Sequence, residues 1–526
     1  MTMKRLIFWL TFLGVFAMAM RISVDTDSWW HLRAGKWIVE NRSVLQQDPF
    51  SYTRFGETWH YPGWLVEAPM YLIFRAFGPG GLNMLTAAMV TLTFWFVWKT
   101  LAGGEFLRAF VIIVAAATSG VFWAARPNML TFLLASIFLW ILDEARKNQF
   151  AHSHSEKTSK PSERNVRGDD GSRHMMISII MANKLWLLPL LMVVWANGHG
   201  GFAVGFILWG VYFASSLFSW FMNWLENRRQ MVDEGPWPAV CSKQLKTLLF
   251  IGVLMTLAVC LNPSGLVVLL YPFKTVRIDV LRQFIQEWQS PNFHNREVLP
   301  FLGLLLITLG VLGVSKKRIS MVDFLLLAGF TTLSLTAGRN IALFALVTPM
   351  VLTKHAAPFL EEARNRLGYR RSTQALERTT RWQSRLNWTI LGILTLAVIL
   401  KSSLVIPKNI NEEHFAETLP MAAVSFLKDT KPDGNLFNSY NWGGYLLWSM
   451  PEYPVFVDGR TDLYGDELIR DWIQVVQGED DWKVVLDEWD VGVILLEPFR
   501  PIVDKLPVDD WELLYKDDIA VVFGRK

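Results

Sequence analysis

The sequence predicts a multi-pass α-helical membrane protein that ends in a small α/β domain. Hydrophobic residues make up 52% of the 526 residues and charged residues only 19%, whereas a soluble chain of this length carries more charge. Apolar segments of about 20 residues, the length that crosses a bilayer, recur through residues 1–406. From residue 407 onwards, short apolar runs alternate with helical periodicity, a pattern typical of α/β domains.

Eleven apolar segments are candidate membrane spans. They are residues 4–20, 82–101, 106–123, 128–143, 184–196, 201–222, 246–261, 299–314, 320–337, 341–354 and 387–405. The first has no small-residue cleavage site and is followed by further spans, so we interpret it as a retained anchor. The segment Trp64–Phe77 is also apolar, but it is short and contains Glu67 and Arg75, which favours a helix lying in the membrane interface.

Basic residues orient the chain, because they accumulate in alternate loops. The basic loops are 144–183, 223–245, 315–319 and 355–386, and Lys4 and Arg5 precede the first span. This distribution places the N-terminus in the cytoplasm and, with an odd number of spans, residues 407–526 outside. The long loop 21–81 then also lies outside, and a Ser-rich stretch in the first basic loop predicts a disordered cytoplasmic segment at 150–175.

Unusual polar residues gather in the outer loops, where their position suggests a function. The loop 21–81 opens with DTDSWWHL, and the later outer turns read WAARPN, WANGHGG, EWQSPNFHNRE and AGRN. We predict Asp25, Asp27 and His31 as catalytic residues. The predicted substrate-binding residues are Asp48, His60, Glu67, Arg126, Asn197, His199, Glu287, Arg339 and Asn340.

Several of these residues have a purely structural alternative. Asp25 or Asp27 could cap the following helix, and Asp27 as the cap with Asp25 as the functional acid is one compatible combination. His31 and His60 stand beside tryptophans and could pack at the interface. Arginines at the ends of spans often reach lipid headgroups, although the planar guanidinium also suits a phosphate ligand.

A carboxylate beside arginines, between membrane and water, suits the transfer of a group from a phosphate-linked lipid. The carboxylate acts as a general base on an incoming hydroxyl, and the arginines stabilise charge on the leaving phosphate. A divalent metal such as Mg²⁺ or Mn²⁺, held by Asp25 and Asp27 with or without Asp48, is an alternative to the arginines. The net charge of +4 is small and the basic residues lie in loops, so no nucleic-acid partner is predicted.

The acidic motif and its surroundings resemble the GT-C superfamily of membrane glycosyltransferases, which includes the protein O-mannosyltransferases and the aminoarabinose transferases of lipid A. In that superfamily an acidic motif follows the first span, in a long outer loop with two interfacial helices. Here Asp25-Thr26-Asp27 has that position, and Trp29–Asn41 and Tyr61–Gly78 correspond to the two helices. A group of largely uncharacterised bacterial GT-C-like proteins shows a closer resemblance. It covers the N-terminal motif and two C-terminal motifs, NSYNWGGYLLW and PVFVDGRTDLYGDE.

This resemblance implies a glycosyltransferase of the bacterial cytoplasmic membrane. It would take a sugar from a polyprenyl-phosphate donor and pass it to an extracytoplasmic glycan, lipid or protein, with Asp25 as the first catalytic candidate by position. Three alternatives remain at this point. One is a polysaccharide polymerase or ligase, which relies on arginine and histidine. Another is a transporter or flippase of lipid-linked substrates, for which repeat symmetry is typical, and the third is an inactive scaffold whose C-terminal domain binds a partner.

The C-terminal motif VDGRTDLYGDEL is dense in charge and follows the strand-like run YPVFV. Ligands commonly bind at the carboxyl ends of strands in α/β domains, so the motif could bind an acceptor or a glycan. It could equally form a turn that is stabilised by its own Asp–Arg pairs.

Overall fold

The computed structural model describes residues 1–158, 184–230, 236–367, 379–506 and 510–526. In these ranges the chain first forms a helix bundle and then a small α/β unit. The bundle comprises α1 (Met3–Ala19), α2 (Ser28–Asn41), α3 (Trp64–Thr100), α4 (Glu105–Ser119), α5 (Asn128–Thr158), α6 (Leu187–Gly198), α7 (Ala203–Gln230), α8 (Pro236–Val259), α9 (Tyr271–Val276), α10 (Asp279–Phe284), α11 (Leu299–Val314), α12 (Met321–Thr336), α13 (Ile341–Arg366) and α14 (Arg381–Val405).

Among the described residues, seven helical segments are long and apolar enough to cross a membrane, which confirms the predicted class of multi-pass membrane protein. They are Trp64–Thr100, Glu105–Phe122, Asn128–Asn148, Gly200–Glu226, Arg296–Val314, Gly338–Arg366 and Arg381–Val405. The other four predicted spans coincide with α1, α6, α8 and α12, whose described apolar stretches are shorter. Helix α5 continues to Thr158, and the rest of the segment 150–175 predicted to be disordered lies outside the described residues.

Helix α3 is divided at Gly78, as the prediction of a separate helix Trp64–Phe77 requires. Gly78 has φ 62° and ψ −161°, a conformation that only glycine adopts readily, and Pro79 follows it. The part before Gly78 contacts α2 through Glu67 and His31, and the part after it packs against α5 and α1 in the bundle. The two halves therefore have different roles, one in the first loop and one in the membrane domain.

The α/β unit contains α15 (Lys408–Ala416), α16 (Met421–Thr430), β1 (Asn435–Asn438), α17 (Tyr440–Ser449), α18 (Thr461–Gln477), α19 (Trp482–Glu488), β2 (Val491–Leu496), β3 (Trp511–Lys516) and β4 (Val521–Arg525). Its strands lie in the order β1-β2-β4-β3, with β1 parallel to β2 and the other pairs antiparallel. The run YPVFV is no strand: only Val455 pairs, in isolated bridges to Leu436 and Ser51. Pro454 has no N–H to extend a ladder.

The α/β unit shares its hydrophobic core with the first loop. Trp29 and Trp30 of α2 belong to the same buried cluster as Leu436 of β1 and Trp442 and Leu446 of α17. The main chain also joins them, since the N–H of Tyr52 donates to the carbonyl of Val455 at 3.2 Å. The C-terminal unit is therefore built onto the loop that carries the acidic motif.

An arginine at the centre of this junction is fully buried. Arg460 donates to Asp48 Oδ1 at 2.6 Å and to both oxygens of Asp458, and Tyr464 Oη also donates to Asp458 Oδ2 at 2.7 Å. The Arg460 side chain and both carboxylates are 0% exposed. The VDGR turn thus does form its own Asp–Arg pair, and Asp48 of the first loop completes it.

Replacing this arginine with an apolar residue is expected to destabilise the junction strongly. Arg460→Leu leaves two buried carboxylates without a cation, and breaking such a pair costs about 3–5 kcal/mol. The matched control is Arg525→Leu, because Arg525 pairs with Asp487 at the surface, where both side chains are more than a third exposed. Exposed pairs contribute about 1 kcal/mol or less. Thermal unfolding of the detergent-solubilised variants measures the difference, and equal shifts in Tm would contradict it.

Candidate active site

The predicted acids Asp25 and Asp27 lie at the start of helix α2, and Asp25 rather than Asp27 makes the capping hydrogen bonds. Asp25 Oδ1 accepts hydrogen bonds from the N–H and the hydroxyl of Ser28, at 3.0 and 2.9 Å, and the N–H of Asp25 donates to Ser28 Oγ. Asp27 makes no capping hydrogen bond. Asp25 therefore fixes the helix start, and the Asp27 carboxylate is left for other contacts.

Arg126, from the turn that precedes α5, bridges the two acids. Its Nη1 lies 2.7 Å from Asp27 Oδ2, and its Nε and Nη2 contact Asp25 Oδ2. Burial alone would lower the pKa of Arg126, but Asp25 and Asp27 raise it well above the ordinary value. The guanidinium is therefore permanently charged, and it offsets the repulsion between two carboxylates that stand two residues apart.

Two further charged residues extend this cluster. Glu287 Oε2 lies 3.9 Å from Arg126 Nη1, and its Oε1 lies 3.4 Å from Arg339 Nη1. The guanidinium of Arg339 also lies over the ring of Trp288, 4.2 Å from its centroid. We call Asp25, Asp27, Arg126, Glu287 and Arg339 the acid–arginine cluster. Its side chains are 23–34% exposed, so substrate could reach them.

Asp27 has the environment of a general base. Burial raises its pKa, Arg126 lowers it, and the negative charges of Asp25 and Glu287 raise it again, to about 6. A carboxylate with a pKa near the working pH is ionised and still a useful proton acceptor. With three carboxylates and two guanidiniums, the cluster has one excess negative charge. Protonation of Asp27 would neutralise that charge.

His31 and Glu67 form a buried pair beside the cluster. His31 Nδ1 lies 2.9 Å from Glu67 Oε1, and both side chains are less than 5% exposed. Burial lowers the pKa of His31 and raises that of Glu67, so both groups favour their neutral forms. Glu67 belongs to the first half of α3, so this contact also ties α3 to α2.

His199 reaches the same region from the turn between α6 and α7. Its Nδ1 accepts a hydrogen bond from the N–H of Gly201 at 3.0 Å and lies 2.8 Å from Thr131 Oγ1. Burial, with the positive charges of Arg339 and Arg126, lowers the pKa of His199 to about 3. The imidazole is therefore neutral at physiological pH.

Four other predicted residues have structural partners away from the acid–arginine cluster. Asp48 is buried and holds Arg460 and the N–H groups of Phe50 and Ser51. Asn197 accepts from the indole N–H of Trp64 at 2.9 Å. Asn340 donates to the carbonyl of Leu333 at 3.0 Å, and His60 Nδ1 lies 3.1 Å from Ser264 Oγ. The structure does not bring these four side chains to the acids.

The arrangement does not suit a metal held by Asp25 and Asp27. Both carboxylates bind the same guanidinium, and Asp48 is engaged by Arg460. In the described ranges, no group of three His, Cys, Asp or Glu side chains is placed to hold a metal ion. We therefore derive no step through a metal.

Glycines of the C-terminal unit border the acids, which the sequence pattern did not predict. A Cβ at Gly459 would lie 2.0 Å from Asp27 Oδ1 and 3.1 Å from the indole nitrogen of Trp30. A Cβ at Gly444 would lie 2.8 Å from the carbonyl oxygen of Thr26. The motifs NWGGY and VDGR thus supply the close approach of the C-terminal unit to DTDSWW.

Solved structures of other proteins align with this chain at low sequence identity. The archaeal oligosaccharyltransferase AglB from Archaeoglobus fulgidus, in complex with an inhibitory peptide and a dolichol-phosphate, aligns with 99% of this chain and 74% of its own, at 10% identity and a TM-score of 0.54. ArnT from Cupriavidus metallidurans, bound to undecaprenyl phosphate, aligns with 99% of this chain and 97% of its own, at 13% identity and a TM-score of 0.44.

The arabinofuranosyltransferase AftD from Mycobacteria aligns with the whole of this chain and 40% of its own, at 12% identity and a TM-score of 0.46. No protein-family model and no curated protein sequence matches the chain. The likeness to AglB, the one of these three with a TM-score above 0.5, shows that the chain shares the fold of that oligosaccharyltransferase.

Proposed function

We propose that the protein is a membrane glycosyltransferase that moves a sugar from a polyprenyl-phosphate donor to a hydroxyl-bearing acceptor. The observation that carries this proposal is Asp27, a carboxylate with a pKa of about 6 that stands beside Arg126 in the acid–arginine cluster. The GT-C fold supports the same reading, because AglB was solved with a dolichol-phosphate. The acceptor is a glycan, a lipid or a protein.

Asp27 is the preferred base. Asp25 has one oxygen committed to Ser28 and the other to Arg126, whereas Asp27 binds Arg126 with Oδ2 and keeps Oδ1 without a described hydrogen bond. An acceptor hydroxyl that donates to Asp27 Oδ1 would be aligned for proton transfer. Position in the motif favours Asp25, but the hydrogen bonds favour Asp27.

In the transfer step, the acceptor oxygen forms a bond to the anomeric carbon of the sugar as the bond from that carbon to the phosphate oxygen breaks. The hydroxyl proton passes to the Asp27 carboxylate, and the bonding electron pair leaves with the lipid phosphate. Negative charge grows on that phosphate, and Arg339 and Arg126 are placed to stabilise it. No redox partner or nucleotide is required.

The site belongs on the outer side of a bacterial cytoplasmic membrane in this proposal. Arg126 precedes α5, whose later residues Arg146 and Lys147 are basic. Arg339 follows α12, and the basic loop 315–319 precedes that helix, so each arginine stands at the helix end opposite the basic residues. Basic loops stay in the cytoplasm, which puts the acid–arginine cluster and the C-terminal unit outside. Polyprenyl-phosphate sugars would then reach the cluster from the outer leaflet.

Transfer of radiolabelled sugar tests the proposal directly. The full chain is reconstituted in liposomes with individual polyprenyl-phosphate sugars and with lipid, glycan and protein fractions as acceptors. We expect time-dependent labelling of one fraction, with Glu512→Gln as a control at an exposed acid of β3. Movement of intact labelled donor across the membrane without transfer would favour the transporter, and folded protein without transfer from any donor would overturn the proposal.

A further inference from the structure

The hydrogen bonds around His199 fix which ring nitrogen carries the proton. The backbone N–H of Gly201 can only donate, and it points at His199 Nδ1 from 3.0 Å. Thr131 Oγ1 already accepts from the indole N–H of Trp195 at 2.8 Å, so its own proton is free to donate to His199 Nδ1. Nδ1 is therefore an acceptor only, and the single proton of the neutral ring resides on Nε2.

That Nε2–H group is an unused donor close to the two arginines of the acid–arginine cluster. Within the described part of the chain, no hydrogen bond to His199 Nε2 is present, and the residue is only half-buried. The charged groups near the ring are the guanidiniums of Arg339 and Arg126, and the neutral imidazole of His31 is also close. A neutral N–H donor near two guanidiniums suits a phosphate, whose several oxygens can accept hydrogen bonds from all of them.

We propose that His199 Nε2–H donates a hydrogen bond to a phosphate oxygen of the polyprenyl-phosphate leaving group, as a neutral donor in a fixed tautomer. The inference rests on the proposed glycosyl transfer and gives it a further catalytic residue. His199 is thereby excluded as the general base, because its only unprotonated nitrogen is already occupied. The donor is preorganised by Thr131 and Gly201, so no reorientation is needed as charge develops on the phosphate.

Two substitutions separate the two nitrogens of His199. The amide of Asn reaches the position of Nδ1, so His199→Asn can keep the contact with Gly201 and loses the outer donor. The amide of Gln reaches the position of Nε2, so His199→Gln keeps an N–H directed at the phosphate. We expect kcat to fall about a hundredfold in His199→Asn and about tenfold or less in His199→Gln, since one oxyanion donor contributes about 10²–10³.

The order of the two variants decides the proposal. A role limited to the turn before α7 would leave His199→Asn more active than His199→Gln, and that result would overturn the inference. Equal activities would overturn it too. Binding of sugar-free polyprenyl phosphate, measured by thermal shift, should weaken more in His199→Asn, and this readout does not require turnover.

Nitrogen NMR of the histidine-labelled protein tests the tautomer independently of activity. The chain contains nine histidines, and the His199 signals are assigned by their loss in His199→Gln. We expect the Nε2–H form without protonation between pH 5 and 8, the range in which an ordinary histidine titrates. Titration within that range, or a proton on Nδ1, would overturn the inference even if sugar transfer occurs. Absence of transfer in the wild type would instead overturn the proposed function.

Discussion

Asp27→Asn is expected to reduce sugar transfer by about a hundred- to ten-thousandfold, the usual contribution of a positioned general base. The amide cannot accept the hydroxyl proton, although it can still contact Arg126. Initial rates at saturating donor measure the effect. The same experiment on Asp25→Asn should give a smaller loss, about tenfold, because Asp25 holds Ser28 and Arg126 rather than the reacting group. A larger loss of activity in Asp25→Asn than in Asp27→Asn would identify Asp25 as the general base instead.

The pH profile identifies the same residue in the wild type. The base works when it is ionised, so kcat/KM should rise tenfold per pH unit below pH 6 and level off above it, given the pKa of about 6 for Asp27. The pKa of His199 is lowered to about 3, so its ring does not titrate in this pH range. A profile that is flat from pH 5 to 8 would count against Asp27 as the base.

Stability should move in the opposite direction to activity in Asp27→Asn. The folded-state pKa of Asp27 is raised, so the ionised carboxylate destabilises the fold above its unfolded pKa, and this penalty is complete above about pH 6. A neutral amide avoids it, so the variant should have a Tm at pH 7.5 no lower than that of the wild type. This makes Asp27→Asn a test of chemistry rather than of folding.

The sequence was a good guide wherever the signal is local. Apolar segments located the helices of the bundle, and the short apolar runs after residue 407 indicated the α/β unit, because burial in lipid or in a sheet dictates composition over a few consecutive residues. The acid motif DTD and the arginine of WAARPN were also predicted as site residues, and the structure brings them together. The reason is that charges beside a membrane are rare enough to be informative.

Contacts between distant segments were beyond such reasoning. Nothing local distinguishes Asp48, which binds Arg460 across 412 positions, from Asp25, which binds Arg126. Nor does composition decide which of Asp25 and Asp27 caps α2, since both are good caps and the choice depends on the position of Ser28. The run YPVFV has strong strand propensity, but only Val455 forms β-bridges. The carbonyl of Phe456 accepts from Thr53 of the first loop, and its N–H donates to the side chain of Asn438, so neither extends a ladder.

Gly459→Ala is expected to reduce transfer by about a hundredfold without unfolding the protein. The new Cβ would lie 2.0 Å from Asp27 Oδ1, closer than any normal contact, and the short Asp27 side chain is held on its other side by Arg126. The carboxylate must move, and a displacement of about 1 Å from the productive geometry costs on the order of 10² in rate. The measurement is kcat together with Tm, because overpacking itself costs about 1–3 kcal/mol.

Gly492→Ala provides a matched control in the same unit. A Cβ at Gly492 would lie 2.5 Å from the carbonyl oxygen of Asp433 and 2.8 Å from the Cα of Gly434, so the overpacking is similar, but it occurs at the start of β2. None of its close neighbours is Asp27 or a residue of the acid–arginine cluster. If the C-terminal unit acts by pressing the Gly459 turn against Asp27, both variants lose stability and only Gly459→Ala loses activity in the folded protein. If both variants instead lose the same activity for each degree by which Tm falls, the C-terminal unit supports the site only through general stability.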